Sequence, residues 1–195
     1  KSAELKAIQA QINPHFLYNT LEMMNWMAKK QETSYILNVT NQLSKFYKLS
    51  LSKGNDFISL KDEFAHLNAY IQIQNFRFEN SIQVTQNLAS EINHYIVPKI
   101  ILQPLVENAI THGILEKDDP KGNLVINAWL EDKAVKITII DDGVGIKPSR
   151  LDSLFNTSES SSKGSHYGLS NIKERLDLYY NGQATIEITS TLGLG

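Results

Sequence analysis

The stretch QINPHFLYNTLE, residues 11–22, sets His15 directly behind Pro14 inside what otherwise reads as a long amphipathic helix. A neutral imidazole nitrogen is nucleophilic near pH 7, so a histidine in this position can act as a nucleophile. A lone helical histidine is more often structural, so His15 matters only if the chain also supplies something to transfer. Pro14 removes the backbone donor that would bond to Ala10, which in a helix interior costs roughly 3 kcal/mol or more. Two geometries accommodate it: a kink in one long helix, or Asn13 as N-cap with Pro14 opening a new helix. The kink is the expected one, and either bend would expose His15 for in-line attack.

Three stretches of the second half carry further chemistry. In PLVENAITHGI, residues 104–114, Leu102, Leu105, Val106, Ala109 and Ile110 gather on one side of a helical wheel, with Glu107, Asn108, Thr111 and His112 on the other. The Asn108 amide oxygen suits Mg²⁺, which keeps several waters and bridges to phosphates, and His112 one turn on can reach a phosphate oxygen. Taken alone, an ordinary solvated helix face is an equally good reading. In IIDDGVGI, residues 139–146, a strand runs into D-x-G-x-G. Asp141 can accept a hydrogen bond from an exocyclic amine, while Gly143 and Gly145 let backbone approach a flat ring. In KGSHYGL, Gly164 and Gly168 bracket a segment feeding a helix start, where free amides beside Lys163 and Leu169 make a natural phosphate site. An Asp-Gly turn and a glycine cap are both common, so neither stretch is decisive by itself.

The elements that must hold these residues divide the chain in two. From Ser2 to about Lys53, two apolar stripes separated by a polar break at residues 30–34 read as a helical hairpin. Two amphipathic helices rarely bury both apolar faces alone, so pairing with a second copy into a four-helix bundle is the economical expectation, with Met23, Met24, Trp26 and Met27 in its core; the alternative is that the faces pack onto the rest of the same chain. Residues 53–56 look like a connector, giving a hairpin domain over 1–54 and a second domain over 55–195. There Ser59 and Asp62 predict the start of a helix reaching about Phe78. A strand follows at 82–88, a helix at 98–113, a hairpin at 124–130 and 135–140, a helix at 169–180 and a strand at 184–189. Antiparallel strands with helices on one face make an α+β sandwich. Residues 157–167 are serine-rich without apolar periodicity and read as a loop.

Composition narrows the function. A net charge of −2 and a pI near 6.2 argue against nucleic acid as a direct partner. The absence of cysteine removes thiol nucleophiles, disulfides and Cys-ligated zinc. No apolar run approaches a membrane span. The chain opens on Lys1 instead of methionine, so a fragment is expected, with any membrane anchor of its parent upstream.

The order of the three stretches resembles the N, G1 and G2 boxes of the GHKL-type (Bergerat) ATP-binding domain shared by histidine kinases, gyrase-type topoisomerases, clamp chaperones and MutL, over roughly residues 59–195. LKAIQAQINPHFLYNTLE and LQPLVENAITHGI closely resemble the phosphoacceptor motif and N box of LytS/YesM-like sensor histidine kinases. The resemblance implies ATP and Mg²⁺ as cofactors, with Asn108 on the metal and Asp141 on the adenine amine. Thr111, His112, Gly143, Gly145 and the loop at Lys163, Gly164, Gly168 and Leu169 complete the nucleotide site. It implies that His15 takes the γ-phosphoryl group and passes it to an aspartate on a separate response regulator, in a homodimer on the cytoplasmic side of the membrane. Asn19 matches a position that orients water for dephosphorylating the regulator.

Several positions depart from the pattern. The glutamate that activates water in gyrase-type members is Pro104 here, which favours transfer over hydrolysis. The acid that often follows the phosphoacceptor is Phe16, and Glu107 points about 100° away from Asn108 on an ideal helix, leaving the base for His15 unassigned. His166 and Tyr167 stand where G2 usually has another glycine, and the final strand of the family is missing after Gly195. An ATP-driven clamp and a nucleotide-binding pseudokinase scaffold remain as alternatives.

Overall fold

The computed structural model describes residues 14–51, 55–151 and 166–195. Helices α1 (Pro14–Lys29) and α2 (Thr33–Leu51) form the expected hairpin. Gln31 adopts φ 59° at the turn. The Gln31 and Glu32 amides donate back to Ala28 and Met27, which closes the helix end in the manner usually reserved for glycine. Pro14 is the first described helical residue, so the choice between kink and N-cap, like residues 53 and 54 of the connector expected at 53–56, lies outside the described residues.

The hairpin packs on the rest of the chain through aromatic rings. Phe16 meets Phe46 at 4.9 Å and Tyr70 at 5.3 Å, and these residues join the main core. Of the residues expected in the bundle core, Met27 is buried and Met23 and Met24 are half-buried. Trp26 is 49% exposed in the single chain, with Lys30 Nζ 3.4 Å above its ring.

Helix α3 (Leu60–Arg77) starts as predicted, with the Ser59 hydroxyl accepting from the Asp62 amide. It lies along α2 and carries much of the core: Leu60, Phe64, Leu67, Tyr70, Ile71 and Ile73. Asn75 clamps both backbone groups of Ile82 and so fixes where strand β2 (Ile82–Leu88) leaves the helix.

The sheet differs from the antiparallel expectation. Its order is β2, β4 (Gly122–Glu131), β5 (Ala134–Asp141), with β2 parallel to β4 and only β4 and β5 antiparallel. Parallel pairing needs a long crossover, supplied by residues 89–121 with their helix. Strands β1 (Phe57–Ser59) and β3 (Ile96–Pro98) pair separately. The helix expected over 98–113 starts later, as α4 (Gln103–Asn108), because Pro98 belongs to β3 and residues 99–102 turn. After the short helix α5 (Pro148–Leu151), α6 (His166–Tyr180) begins three residues before its predicted start.

The strand expected at 184–189 does not form: these residues have no ladder partner. Their alternation instead seats Ile186 and Ile188 against Leu169 and Ile172 of α6. No helix among the described residues is long and apolar enough to cross a membrane.

Candidate active site

Helix α4 opens with Gln103 and Pro104, where a missing N–H costs nothing. Leu102, Val106, Ala109 and Ile110 are buried; Glu107 and Asn108 are half-buried, and Thr111 and His112 are exposed. The predicted division of faces therefore holds. Past Asn108 the winding widens into a π-helical turn, Ala109–Gly113. Such turns cluster at functional sites because they re-aim side chains without ending the helix. His112 Nδ1 lies 3.1 Å from Glu116 Oε1. The Asn108 amide has no hydrogen-bond partner among the described residues.

The π turn ends where strand β5 ends. A Cβ on Gly143 would collide with the backbone of Gly113, and one on Gly113 would meet Asp141 Oδ1 at 2.5 Å. Val144 donates to the Gly113 carbonyl at 3.2 Å. Two glycines thus let the Asn108 helix and the Asp141 strand touch backbone to backbone, which brings two separate sequence stretches into one site. Gly145 has φ +72°, and a side chain there would strike the Thr191 carbonyl.

Adjacent aspartates have opposite surroundings. Burial raises the Asp141 carboxyl above its ordinary range, opposed by the Gly143 amide at 3.0 Å and reinforced by the charge of Asp142. Oδ2 has no partner among the described residues and can accept from a ligand. Burial also works against the Asp142 charge, but the backbone and side-chain N–H of Asn123, at 2.9 and 2.7 Å, together with Lys117 at 3.5 Å, hold its carboxyl below the usual range. Asp142 is a latch between strand ends, a role with no local sequence signal.

His15 is exposed on the first turn of α1, and Asn19 Nδ2 lies 3.2 Å from its Nδ1. Burial raises the Glu107 carboxyl, while a hydrogen bond from Gln103 and the charges of His112 and His15 pull it back.

Lys163 and Gly164 lie outside the described residues. Gly168 falls inside α6, so the helix begins before the second glycine of the pair. Leu169 is buried with Ile172, and Ile146 and Leu151 pack against them. Among the described residues no group of three or more His, Asp or Glu side chains is placed to hold a metal. A cation here would rely on the Asn108 amide, water and phosphate oxygens, the donor set that suits Mg²⁺. Sequence reading passed over Glu63 and Arg175, which hold the turn before α4.

This fold and this pairing of an asparagine helix with a D-x-G-x-G strand end define an ATP-binding domain. Residues 95–195 match the family model for the histidine kinase-, DNA gyrase B- and HSP90-like ATPases, and residues 3–82 match the histidine kinase model. The chain belongs to the sensor histidine kinases. It is 36% identical to the sensor histidine kinase YesM of Bacillus subtilis over 190 residues, which is 97% of this chain and 31% of that protein. It is 32% identical to the sensor protein LytS of Bacillus cereus over 196 residues, 100% of this chain and 33% of that protein. The chain thus spans about a third of the length of the curated relatives it matches. A solved bacterial phosphotransferase aligns with a TM-score of 0.52 at 12% identity, over 97% of this chain and 93% of its own, a likeness of fold alone.

Proposed function

We propose that this chain is the catalytic core of a two-component sensor histidine kinase that transfers the γ-phosphoryl group of ATP to His15 and then to an aspartate on a response-regulator receiver domain. The observation that carries the reading is the close contact of Gly113, in the turn that continues the Asn108 helix, with Asp141 and Gly143 at the end of β5.

Asp141 would accept from the adenine amine, and the Gly143 and Gly145 backbone leaves room for the ring. Thr111, His112, Lys163, Gly164 and the first turn of α6 with Gly168 and Leu169 would surround the phosphates. Asn108 would hold Mg²⁺, which when bound offsets charge on the phosphates. His15 attacks the γ-phosphorus through a ring nitrogen lone pair. The β–γ bridging bond breaks toward ADP, and the other ring nitrogen gives up its proton, which leaves the imidazole ring uncharged and the phosphoryl group anionic. With the Asn19 amide turned so that its oxygen faces Nδ1–H, Nε2 is left free to attack; amide orientation follows the hydrogen-bond network. Glu107 is our candidate for the proton acceptor, supported by the influence of the His15 charge on its carboxyl. Asn19 is also our candidate for regulator dephosphorylation.

The hairpin through residue 54 is read as the dimerisation and phosphotransfer unit, and residues from 55 as the ATP-binding unit. Exposed apolar side chains on the hairpin, including Tyr18, Leu21 and Leu37, support pairing with a second copy into a four-helix bundle. The parent is placed at the cytoplasmic side of the membrane, anchored outside this chain.

Incubation with γ-labelled ATP and Mg²⁺ tests the reading. Acid-labile, base-stable label on the wild type and none on His15→Gln is the expected result. Steady phosphate release with no labelled protein would overturn it in favour of an ATPase clamp.

A further inference from the structure

The backbone entering α4 needs outside support. Ile100 has φ 59°, in the left-handed region that β-branched residues avoid. The next amides would be orphans, because Leu102, the N-cap of α4, makes no side-chain cap bond. The support comes from Glu63 in the middle of α3. Its carboxylate is 0% exposed, and it accepts three backbone N–H groups: Ile100 on Oε2 at 2.8 Å, and Ile101 and Leu102 on Oε1 at 2.8 and 2.9 Å.

On the other side Arg175 of α6 donates from Nη2 to the Lys99 carbonyl at 2.8 Å. Its charge also favours the ionised form of Glu63, against the upward push of burial. The turn is therefore held between α3, which packs on the hairpin, and α6. Asn108 lies six residues beyond Leu102, about 9 Å along a helix at 1.5 Å per residue. A displacement of the turn passes directly to Asn108 and Glu107.

The same α3 helix also faces the phosphoacceptor motif. Tyr70 packs on Phe16, the neighbour of His15, and His66 stacks on Phe46 of α2 at 4.4 Å. One rigid helix therefore touches the His15 segment and grips the backbone that launches the Asn108 helix.

We propose that Glu63 is a positioning residue for the kinase reaction: by clamping residues 100–102 it sets where Asn108 and Glu107 stand relative to nucleotide and to His15. Arg175 completes the clamp through the Lys99 carbonyl. The proposal rests on the ATP-site reading above. An apolar side chain would remove the cost of a buried carboxylate but strand three amides. Glutamine keeps one acceptor oxygen and turns an NH₂ toward at least one of the three donors, so it is nearly isosteric yet breaks the clamp.

The test uses the whole chain and a fluorescent ATP analogue titrated with and without Mg²⁺, together with KM and kcat for self-labelling. Glu63→Gln is expected to weaken Mg²⁺-dependent analogue binding at least tenfold and to raise the Mg²⁺ concentration needed. Glu63→Asp is expected to restore part of both. Ile73→Val, a buried α3 change away from the clamp, serves as a control: it is expected to lower the melting temperature while leaving KM and the Mg²⁺ requirement unchanged. If Glu63→Gln does not fold, Arg175→Lys decides, with a several-fold rise in KM expected. Wild type that binds no analogue would overturn the ATP-site reading and the proposal with it. Wild type that binds, with a folded Glu63→Gln or an Arg175→Lys chain matching its KM and Mg²⁺ requirement, would overturn the positioning role alone.

Discussion

Phe46 lies between two histidine environments. On one side it meets Phe16, the residue after His15; on the other it stacks on His66 with ring planes 23° apart. His15 stands on the exposed face of α1 with Asn19 beside it. His66 is 1% exposed. The Ser50 hydroxyl gives its hydrogen to the Phe46 carbonyl at 2.9 Å, so His66 Nε2–H donates to Ser50 Oγ at 2.8 Å. Nδ1 has no partner among the described residues, and burial lowers the ring's pKa to about 4, which favours the neutral form. One side chain type thus serves as a candidate nucleophile where solvent can reach it, and as a packing ring where it cannot.

The largest expected effect that separates the two is on labelling. His15→Gln should abolish phosphorylation from ATP, whereas His66→Phe should keep it, as read by acid-labile label per chain; label surviving in His15→Gln would break the comparison. Next comes the aspartate pair at the other end of the site. Asp141→Asn should weaken nucleotide binding roughly 10- to 100-fold, the range for losing a hydrogen bond to a charged group. Asp142→Asn should leave binding near wild type and cost about 1 kcal/mol of stability through its latch.

A third effect sharpens the histidine contrast through pH. With the folded pKa of His66 near 4 and the ordinary value 6.5, the unfolded chain takes up a proton first as pH falls. Stability from this residue is therefore full above pH 6.5 and declines down to about 4, by at most about 3 kcal/mol. Denaturant unfolding between pH 7 and 5 should show wild type losing stability relative to His66→Phe; parallel curves would contradict a buried neutral His66. The smallest effect is on Asn19→Ala, which should keep self-labelling and slow dephosphorylation of the receiver domain. An unchanged rate would remove that role.

How much of this was legible follows the range of the interactions. The hairpin, the Ser59 cap and the outward face of α4 rest on spacing within one element, and periodicity reads them directly. The resemblance to sensor histidine kinases rested on the residue types of two motifs, and it holds. The parallel pairing of β2 with β4 depends on a crossover of more than thirty residues, and the π turn at Ala109–Gly113 on the meeting with Gly143. Neither is a local signal. Glu63 was partly visible: it stands between Leu60 and Leu67 on the buried face of α3, where an acid has no reason to be unless something inside needs it. Its partners, three amides 37 to 39 residues away, could come only from the structure.

The most direct test of the central claim is to incubate the wild-type chain with ATP and Mg²⁺ and map phosphohistidine by mass spectrometry under base-stable conditions. The account predicts modification of His15, with His66 and His112 unmodified. Phosphate on His112, or ATP consumed with no phosphohistidine anywhere in the chain, would contradict it.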